Sequence, residues 1–379
     1  MQGTSEVLIV GAGPAGCAAG IVLARAGVDV CVVDRATFPR DKTCGDALSN
    51  DAVELLDRLG VRAQLDASPH ALVHTAAALF PDGTRIAREY ERPGYIAPRF
   101  SFDDCMRLAL ERSGAKLVQG VRVAHLIRDG ERITGAEGPK LRWSAKLVIA
   151  ADGYGSAGLS ALGTSAPRGR ALAVSATVYL RGVRFPHGAN VADHYFEPEL
   201  PFGYGWIFPA VDGVANVGVY LRADGYARAH EKLDALLEAF LARHADRVAG
   251  AERTSKTRVW SLPIAPRRMP LTAAGLMLVG DAAGFVDPLS GEGIWQGLHS
   301  GMLAGELAAQ AVARGELSAE LRARYEGQCD LDILRPSRKK LWVQDTLERV
   351  VQHRLYRSVL VRTALSLGYR HRALEFTKS

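Results

Sequence analysis

The sequence predicts an α/β fold: a Rossmann-like first domain, an interleaved antiparallel-sheet domain, and helices at the C-terminus. Three observations predict it. A strand, a Gly-rich turn, a helix and a second strand succeed one another between residue 6 and Asp34, the opening of a βαβ unit with buried parallel strands. Two further apolar runs, at 146–151 and 275–279, end on Asp152-Gly153 and Gly280-Asp281, as strands do when ligands sit at the carboxyl ends of a parallel sheet. Between those runs, residues 165–265 alternate as in Ala-Val-Ser-Ala-Thr-Val-Tyr-Leu and Val-Ala-Asn-Val-Gly-Val-Tyr-Leu, which reads as antiparallel sheet.

Taken in order, the first strand is residues 6–10, the helix about 14–26 and the second strand 28–33. The run at 275–279 leads into a long Gly- and Ala-rich helix, and the last sixty or so residues look helical, with Tyr325, Leu331, Leu334, Leu341, Trp342 and Leu347 among the apolar positions. Nothing reads as a linker or repeat, so the domains are expected to interleave. Residues 1–165 form the first part of the cofactor domain with an excursion at about 67–97 into the second domain, 166–268 form the substrate sheet, 269–320 return to the cofactor domain, and 321–379 form the helical end.

The chain has 379 residues, 48% hydrophobic and 23% charged, which suits a globular enzyme with a sizeable core. No apolar run reaches the roughly 18 residues of a membrane span. The first buried-strand pattern begins at Val7, leaving no room for a signal-type stretch, and a cytoplasmic setting is expected. Five cysteines, 17, 31, 44, 105 and 329, form neither CxxC pairs nor an even framework, so free thiols and no metal site are expected. The net charge of +6 is mild, and no nucleic-acid module accompanies it. The basic excess gathers late, at Arg335, Arg338, Lys339, Lys340, Arg349, Arg354, Arg357, Arg362, Arg370 and Arg372. It reads either as a solvated face or as a peripheral contact with an anionic membrane.

The chemistry starts at Gly11-Ala12-Gly13-Pro14-Ala15-Gly16. Gly11 permits the tight turn, Gly13 the approach of a pyrophosphate, and Gly16 close packing of helix on sheet; Asp34 is placed for an adenosine ribose. Amides and dipole at the helix start favour phosphate. At the third strand end, Gly280-Asp281 can hold a ribityl chain, and Gly291-Glu292-Gly293-Ile294 opens a helix whose N-terminus suits an anionic reduced flavin. A nicotinamide dinucleotide has no ribityl group for Asp281, so FAD is the favoured ligand.

The ordered set Gly11-Gly13-Gly16, Arg99 with Phe102-Asp103, Asp152-Gly153 and Gly280-Asp281 resembles the FAD-dependent superfamily of para-hydroxybenzoate hydroxylase, flavin halogenases and geranylgeranyl reductases. The segment from Phe38 to Asp46 and Tyr204-Gly205-Trp206-Ile207-Phe208-Pro209 are similar to the geranylgeranyl reductase branch, the latter to its YxWxFP motif. The resemblance implies flavin contacts also at Arg35, Cys44, Gly45 and Arg99, and a functional cysteine at Cys44. The halogenase signature WxWxIP is absent. Where the superfamily commonly has DGxxSxxR, Leu159 replaces the arginine, which weakens direct docking of NADPH; electrons come from NADPH, a partner flavin reductase or a ferredoxin.

On a strand, Tyr204, Trp206 and Phe208 share one face, either lining a tunnel for a hydrophobic substrate together with Pro209 or forming ordinary core. Cys44 is either an inert small hydrophobe or, beside flavin, Lys42 or Arg40, a perturbed reactive thiol. The expected reaction is reduction of isolated prenyl C=C bonds by hydride from reduced flavin, the proton coming from Cys44, Tyr204 or a water. The alternatives are a flavin monooxygenase acting on an aromatic or polyketide-like substrate and a non-catalytic flavin sensor.

Overall fold

The computed structural model describes residues 1–370, so Arg372 lies outside it. Its first sheet places, in order, Thr272–Ala273, Leu276–Leu278, Leu141–Ala150, Gln2–Val10, Val30–Val33 and Lys116–Val118, with the hairpin His125–Asp129 and Arg132–Gly138 attached to Leu141–Ala150. Gln2–Val10 pairs in parallel with both neighbours, Val7 against Val30 on one side and Leu147 on the other. Val7 to Val10, Val30 to Val33 and Leu147 to Ala150 are all buried, as continuous apolar runs must be in a parallel sheet covered on both faces. Each such side chain stabilises the fold by about 1.5–3 kcal/mol through removal from water.

The covering helix Pro14–Arg25 packs against Ile294–Arg314 along small residues. A Cβ on Gly301 would lie 2.2 Å from the Ala15 carbonyl oxygen, so this contact brings backbone against backbone.

The second sheet orders Glu252–Arg253, Leu172–Arg181, Val214–Arg222, Gly203–Pro209, Val191–Tyr195, Ala71–Leu79, Arg85–Ile96 and Ala47–Leu48, with Arg258–Pro263 also on Leu172–Arg181. It is antiparallel except where Val191–Tyr195 runs parallel to Ala71–Leu79, a pairing that alternation alone does not encode. Its outer face is covered by the helix Leu233–Arg243 through Leu236, Leu237 and Phe240. Its other face carries the rings of Tyr204, Trp206 and Phe208, in one apolar cluster with Val343, Leu347 and Tyr356 of the C-terminal segment. The α/β fold class read from the sequence is the one observed.

The helical end comprises Ala319–Cys329, Arg335–Gln352 and Val359–Arg370, joined by short helical turns. Tyr325 and Leu347 are buried, but Leu331 and Trp342 face outward, Trp342 with 66% of its surface exposed. Part of the basic excess is paired: Arg335 and Arg338 with Asp330 at the surface, while Lys340 turns inward to the buried Asp287. No described helix is long and apolar enough to cross a membrane, and the five cysteines are free.

Candidate active site

The three strand ends converge on one cavity of about 260 Å³ that runs from the glycine loops to the aromatic strand. At Gly11 the backbone has φ of +104° and a Cβ would meet the Ala151 carbonyl oxygen at 2.4 Å. At Gly16 a Cβ would lie 1.8 Å from the Gly11 carbonyl oxygen, which no side chain survives. Gly13 is different, with nothing nearer to its Cβ position than Arg40 Nη2 at 4.0 Å; it faces open space together with Pro14 and Ala15. The first-turn amides of Pro14–Arg25 lack helical partners and flank that space.

Gly11, Gly16, Asp34, Arg35 and Asp152 stand outside the cavity lining. Asp34 braces the loop: its carboxylate accepts from the amides of Ala12 and Ala36, each at 2.7 Å. Asp152 accepts from Ser156 Oγ and from the Ala157 amide, while Ser156 caps Ala157–Ala161 and Leu159 enters the core. The segment after Gly153 is thus a helix cap, with Gly153 itself lining the cavity.

Gly280, Asp281, Gly291, Gly293 and Ile294 line the cavity beyond the first loop. The Gly280 Cβ position lies 3.0 Å from Ala15 Cβ, so the first and third strand ends touch. Asp281 pairs with Lys42 at 3.4 Å, and a Cβ on Gly293 would come within 3.1 Å of its Oδ1. Two glycine-rich strand-end loops, an acid between them and unpaired helix amides form a cradle that fits a dinucleotide with a polyol arm.

The opposite wall carries Tyr204, Trp206 and Phe208, ring centroids 6.2 and 6.0 Å apart in sequence order. Gly205 points away, where a Cβ would sit 2.2 Å from the Phe240 ring. Pro209 ends the strand, buried and outside the lining. The Tyr204 hydroxyl donates to the Ser290 carbonyl, and that of Tyr220 to the Pro288 carbonyl at 2.9 Å, tying the sheet to the Gly291 turn. With its hydroxyl given to Ser290, Tyr204 presents its ring to the cavity, and burial raises the phenol.

Cys44 and Gly45 lie where the two walls meet. Arg40 pairs with Asp103 at 2.6 Å and Lys42 with Asp281 at 3.4 Å. Burial pushes the Cys44 thiol up, while the Arg99 guanidinium and Lys42 oppose that shift. Arg99 itself grips Asp103 through two bonds of 2.7 and 2.8 Å. Burial would raise the Asp103 carboxyl, but Arg99 and Arg40 hold it below its ordinary range.

Behind Cys44 is a polar network that motif reading misses. Asn216 Nδ2 donates to the Cys44 carbonyl and to Asp46, both at 2.9 Å, while its Oδ1 accepts from Trp206 Nε1 at 2.9 Å and Thr177 Oγ1 at 3.0 Å. Asp46 also accepts from the Tyr179 hydroxyl, and burial pushes its carboxyl up to about 7. The signal for Asn216 is a lone amide inside the apolar run Val214–Leu221. Glu292, between two glycines of the cradle, accepts from Ser49 Oγ at 2.5 Å, and burial pushes it up to about 7. The deeply buried His194 is pushed down to about 4 and is neutral.

A family model described as an FAD binding domain matches residues 4–333. The chain is 34% identical over 320 residues to a menaquinone reductase of Mycolicibacterium smegmatis, covering 79% of this chain and 75% of that protein. It is 29% identical over 316 residues to the digeranylgeranylglycerophospholipid reductase of Thermoplasma acidophilum, covering 79% and 76%. Among solved structures, a geranylgeranyl bacteriochlorophyll reductase-like protein from Thermoplasma acidophilum superposes with a TM-score of 0.85 at 23% identity, over 99% of this chain and 98% of that one. A flavin-dependent brominase, Bmp2, follows at 0.76 and 22% identity over 96% and 92%, a likeness of fold.

Proposed function

This chain belongs to the geranylgeranyl reductase family of FAD-dependent oxidoreductases, and on that premise we propose that it saturates isolated C=C bonds in the isoprenoid chain of a lipid. The observation that carries the reading is the continuity of the glycine cradle with an aromatic cavity whose wall is Tyr204, Trp206 and Phe208. Relatives named for menaquinone and for digeranylgeranylglycerophospholipid support an isoprenoid substrate.

In this reading Gly13, Pro14 and Ala15 hold the FAD pyrophosphate, Asp34 and Arg35 the adenosine end, Asp281 the ribityl arm, and Gly291, Gly293 and Ile294 the ring system, with Gly45 and Arg99 beside it. Bound and reduced there, FAD supplies a hydride. The chain supplies the rest. Apolar rings align the isoprenoid and exclude water, and the Asn216 clamp fixes the Cys44-Gly45 loop against Trp206. Cys44 acts at the reacting end as a neutral thiol. In this reading residues 1–165 without the 67–97 excursion, together with 269–320, serve the cofactor; 166–268 and the excursion serve the substrate; 321–379 backs the latter.

The same reading takes the C-terminal helices to a lipid surface. Leu360, Ala364 and Leu367 form an exposed apolar stripe opposite the packed Val361, Leu365 and Tyr369, with exposed Arg354 and Arg357 beside it.

Chemically reduced protein under argon, incubated with a polyprenyl quinone or a geranylgeranyl lipid, should give products heavier by two hydrogens per double bond. Gain of one oxygen in air with no anaerobic hydrogenation would replace this reading with a monooxygenase acting on an aromatic or polyketide-like substrate. Anaerobic bleaching of the bound flavin separates NADPH, a flavin reductase and a ferredoxin as electron donors.

A further inference from the structure

Saturating an isolated alkene takes a proton as well as a hydride, and the titratable side chains of the cavity differ in whether they have one to give. The hydroxyls of Tyr204 and Tyr220 donate to the carbonyls of Ser290 and Pro288, and that of Tyr95 to Asp66 at 2.6 Å. Phenols, Tyr90 included, are in any case weaker acids than a carboxyl by several units. Arg99 is committed to Asp103 and Lys42 to Asp281. His194 is neutral, and the Cys44 thiol is pushed up by burial.

Glu292 is the exception. It lines the cavity from the turn Ser290 to Gly293, between the two glycines of the cradle. Its Oε1 is fixed by the Ser49 hydroxyl at 2.5 Å, and among the described residues Oε2 has no hydrogen-bond partner. We propose that Glu292 is the proton donor in double-bond reduction, with Ser49 as its positioning residue; the inference rests on the isoprenoid reductase reading above. In the step, the Glu292 O–H bond breaks and the alkene π pair forms a C–H bond with that proton, while the other alkene carbon receives hydride with its electron pair from reduced flavin. The carboxylate left behind regains a proton from water.

The surroundings keep the acid protonated near neutrality. Burial is the larger influence; Asp51 on the helix Asn50–Arg58 and Asp287 on the adjoining turn add to it, while the Ser49 hydrogen bond and Lys340 on Arg335–Gln352 oppose it, for a value of about 7. Asp281, beside Gly293, is a further carboxylate on that side, and Tyr204 faces it from the aromatic strand as a neutral phenol.

The test is Glu292→Gln, which keeps the shape and an acceptor for Ser49. FAD content and thermal midpoint should be retained, while anaerobic single-turnover reduction of a polyprenyl quinone at pH 6 slows about a hundred- to ten-thousand-fold. The wild-type rate should fall as pH rises through about 7, and that limb should vanish in the variant. A readout independent of turnover is infrared titration of the holoprotein without substrate: of the carboxylic C=O signal lost through about pH 7, the part belonging to Glu292 should be missing from Glu292→Gln and the part belonging to Asp46 from Asp46→Asn. Ser49→Ala removes a bond that favours the ionised form, so band and rate limb should both move to higher pH, a shift that a packing role would not produce. Wild-type rates in Glu292→Gln overturn the proposal, and loss of turnover in Cys44→Ala alone moves the role to the thiol. If wild-type protein hydrogenates no isoprenoid lipid, the reductase reading itself falls and takes the proposal with it.

Discussion

On the glycine side of the cavity, position is set by backbone meeting backbone: the Gly16 Cβ position lies 1.8 Å from a carbonyl oxygen, and that of Gly301 2.2 Å from another. On the aromatic side, position is set by side chains that reach across long stretches of chain, Asp46 to Tyr179 over 133 residues and to Asn216 over 170. A backbone contact within a six-residue loop admits one residue type at fixed spacing, and it is visible in the sequence as a pattern. A network closed by folding leaves no spacing to read. The first kind of wall tolerates no added atom; the second tolerates change of shape but not the loss of a partner for a buried polar group.

Two glycine substitutions sharpen the first half of that contrast and carry the largest expected effects. Gly16→Ala forces the helix off the loop and should lower unfolding free energy by about 3 kcal/mol or more, read by urea denaturation. Gly13→Asp has room for its side chain but sets a carboxylate at the proposed pyrophosphate site. The fold should persist by circular dichroism while flavin absorbance of the purified protein is lost. A yellow, stoichiometric Gly13→Asp protein would remove the loop from phosphate binding.

Asn216→Leu breaks the other wall. It leaves Trp206 Nε1 and the Cys44 carbonyl without the amide that serves both, so a loss of about 2–4 kcal/mol is expected with FAD retained. Stability equal to wild type would mean that the amide does not clamp the loop.

A smaller effect is the pH dependence that the aromatic side imposes. Asp46 goes from an ordinary 3.8 up to about 7 on folding, so the native state binds more protons than the unfolded chain between those values. Its contribution to stability is then full below the unfolded value and is lost as pH rises through about 7. Urea midpoints of wild type should decline relative to Asp46→Asn from about pH 4 to 7, and parallel curves would show that Asp46 ionises freely. Asp103, held low by two arginines, acts in the opposite sense and is common to both proteins.

The sequence was legible where chemistry is local. The βαβ opening, the three strand ends, the aromatic row on one strand face and the α/β class are all written in short windows, and Asp34, Asp152 and Asp281 were placed correctly at or just after their strand ends. Less legible is that Asp34 and Asp152 also hold backbone amides, which depends on loop geometry. Asp46 and Glu292 sit inside quoted motifs, yet only burial reveals that they retain protons. Around Cys44, the ion pairs of Arg40 with Asp103 and of Lys42 with Asp281 close only once the chain is folded, so no spacing in the sequence announces them.

The smallest effect belongs to the outer side of the aromatic region, where the C-terminal helices share its apolar cluster. The glycine side has only a cofactor to admit, whereas the lipid substrate proposed above would have to leave a membrane before it could reach the aromatic wall. Trp342, Val359, Leu360 and Leu367 expose half or more of their surface on the helices that back that wall, and the exposed Arg354 and Arg357 add positive charge at the turn between them. Attraction to anionic lipid acts over about 10 Å at 0.1 M salt, so binding should be weak and should fall as salt rises. Reversing Arg354 and Arg357 to Glu should reduce co-sedimentation with anionic vesicles several-fold at low salt while leaving neutral vesicles and the reduction of detergent-dispersed lipid unchanged. Equal co-sedimentation of both proteins would confine the lipid to the cavity and return the basic helices to a solvated face.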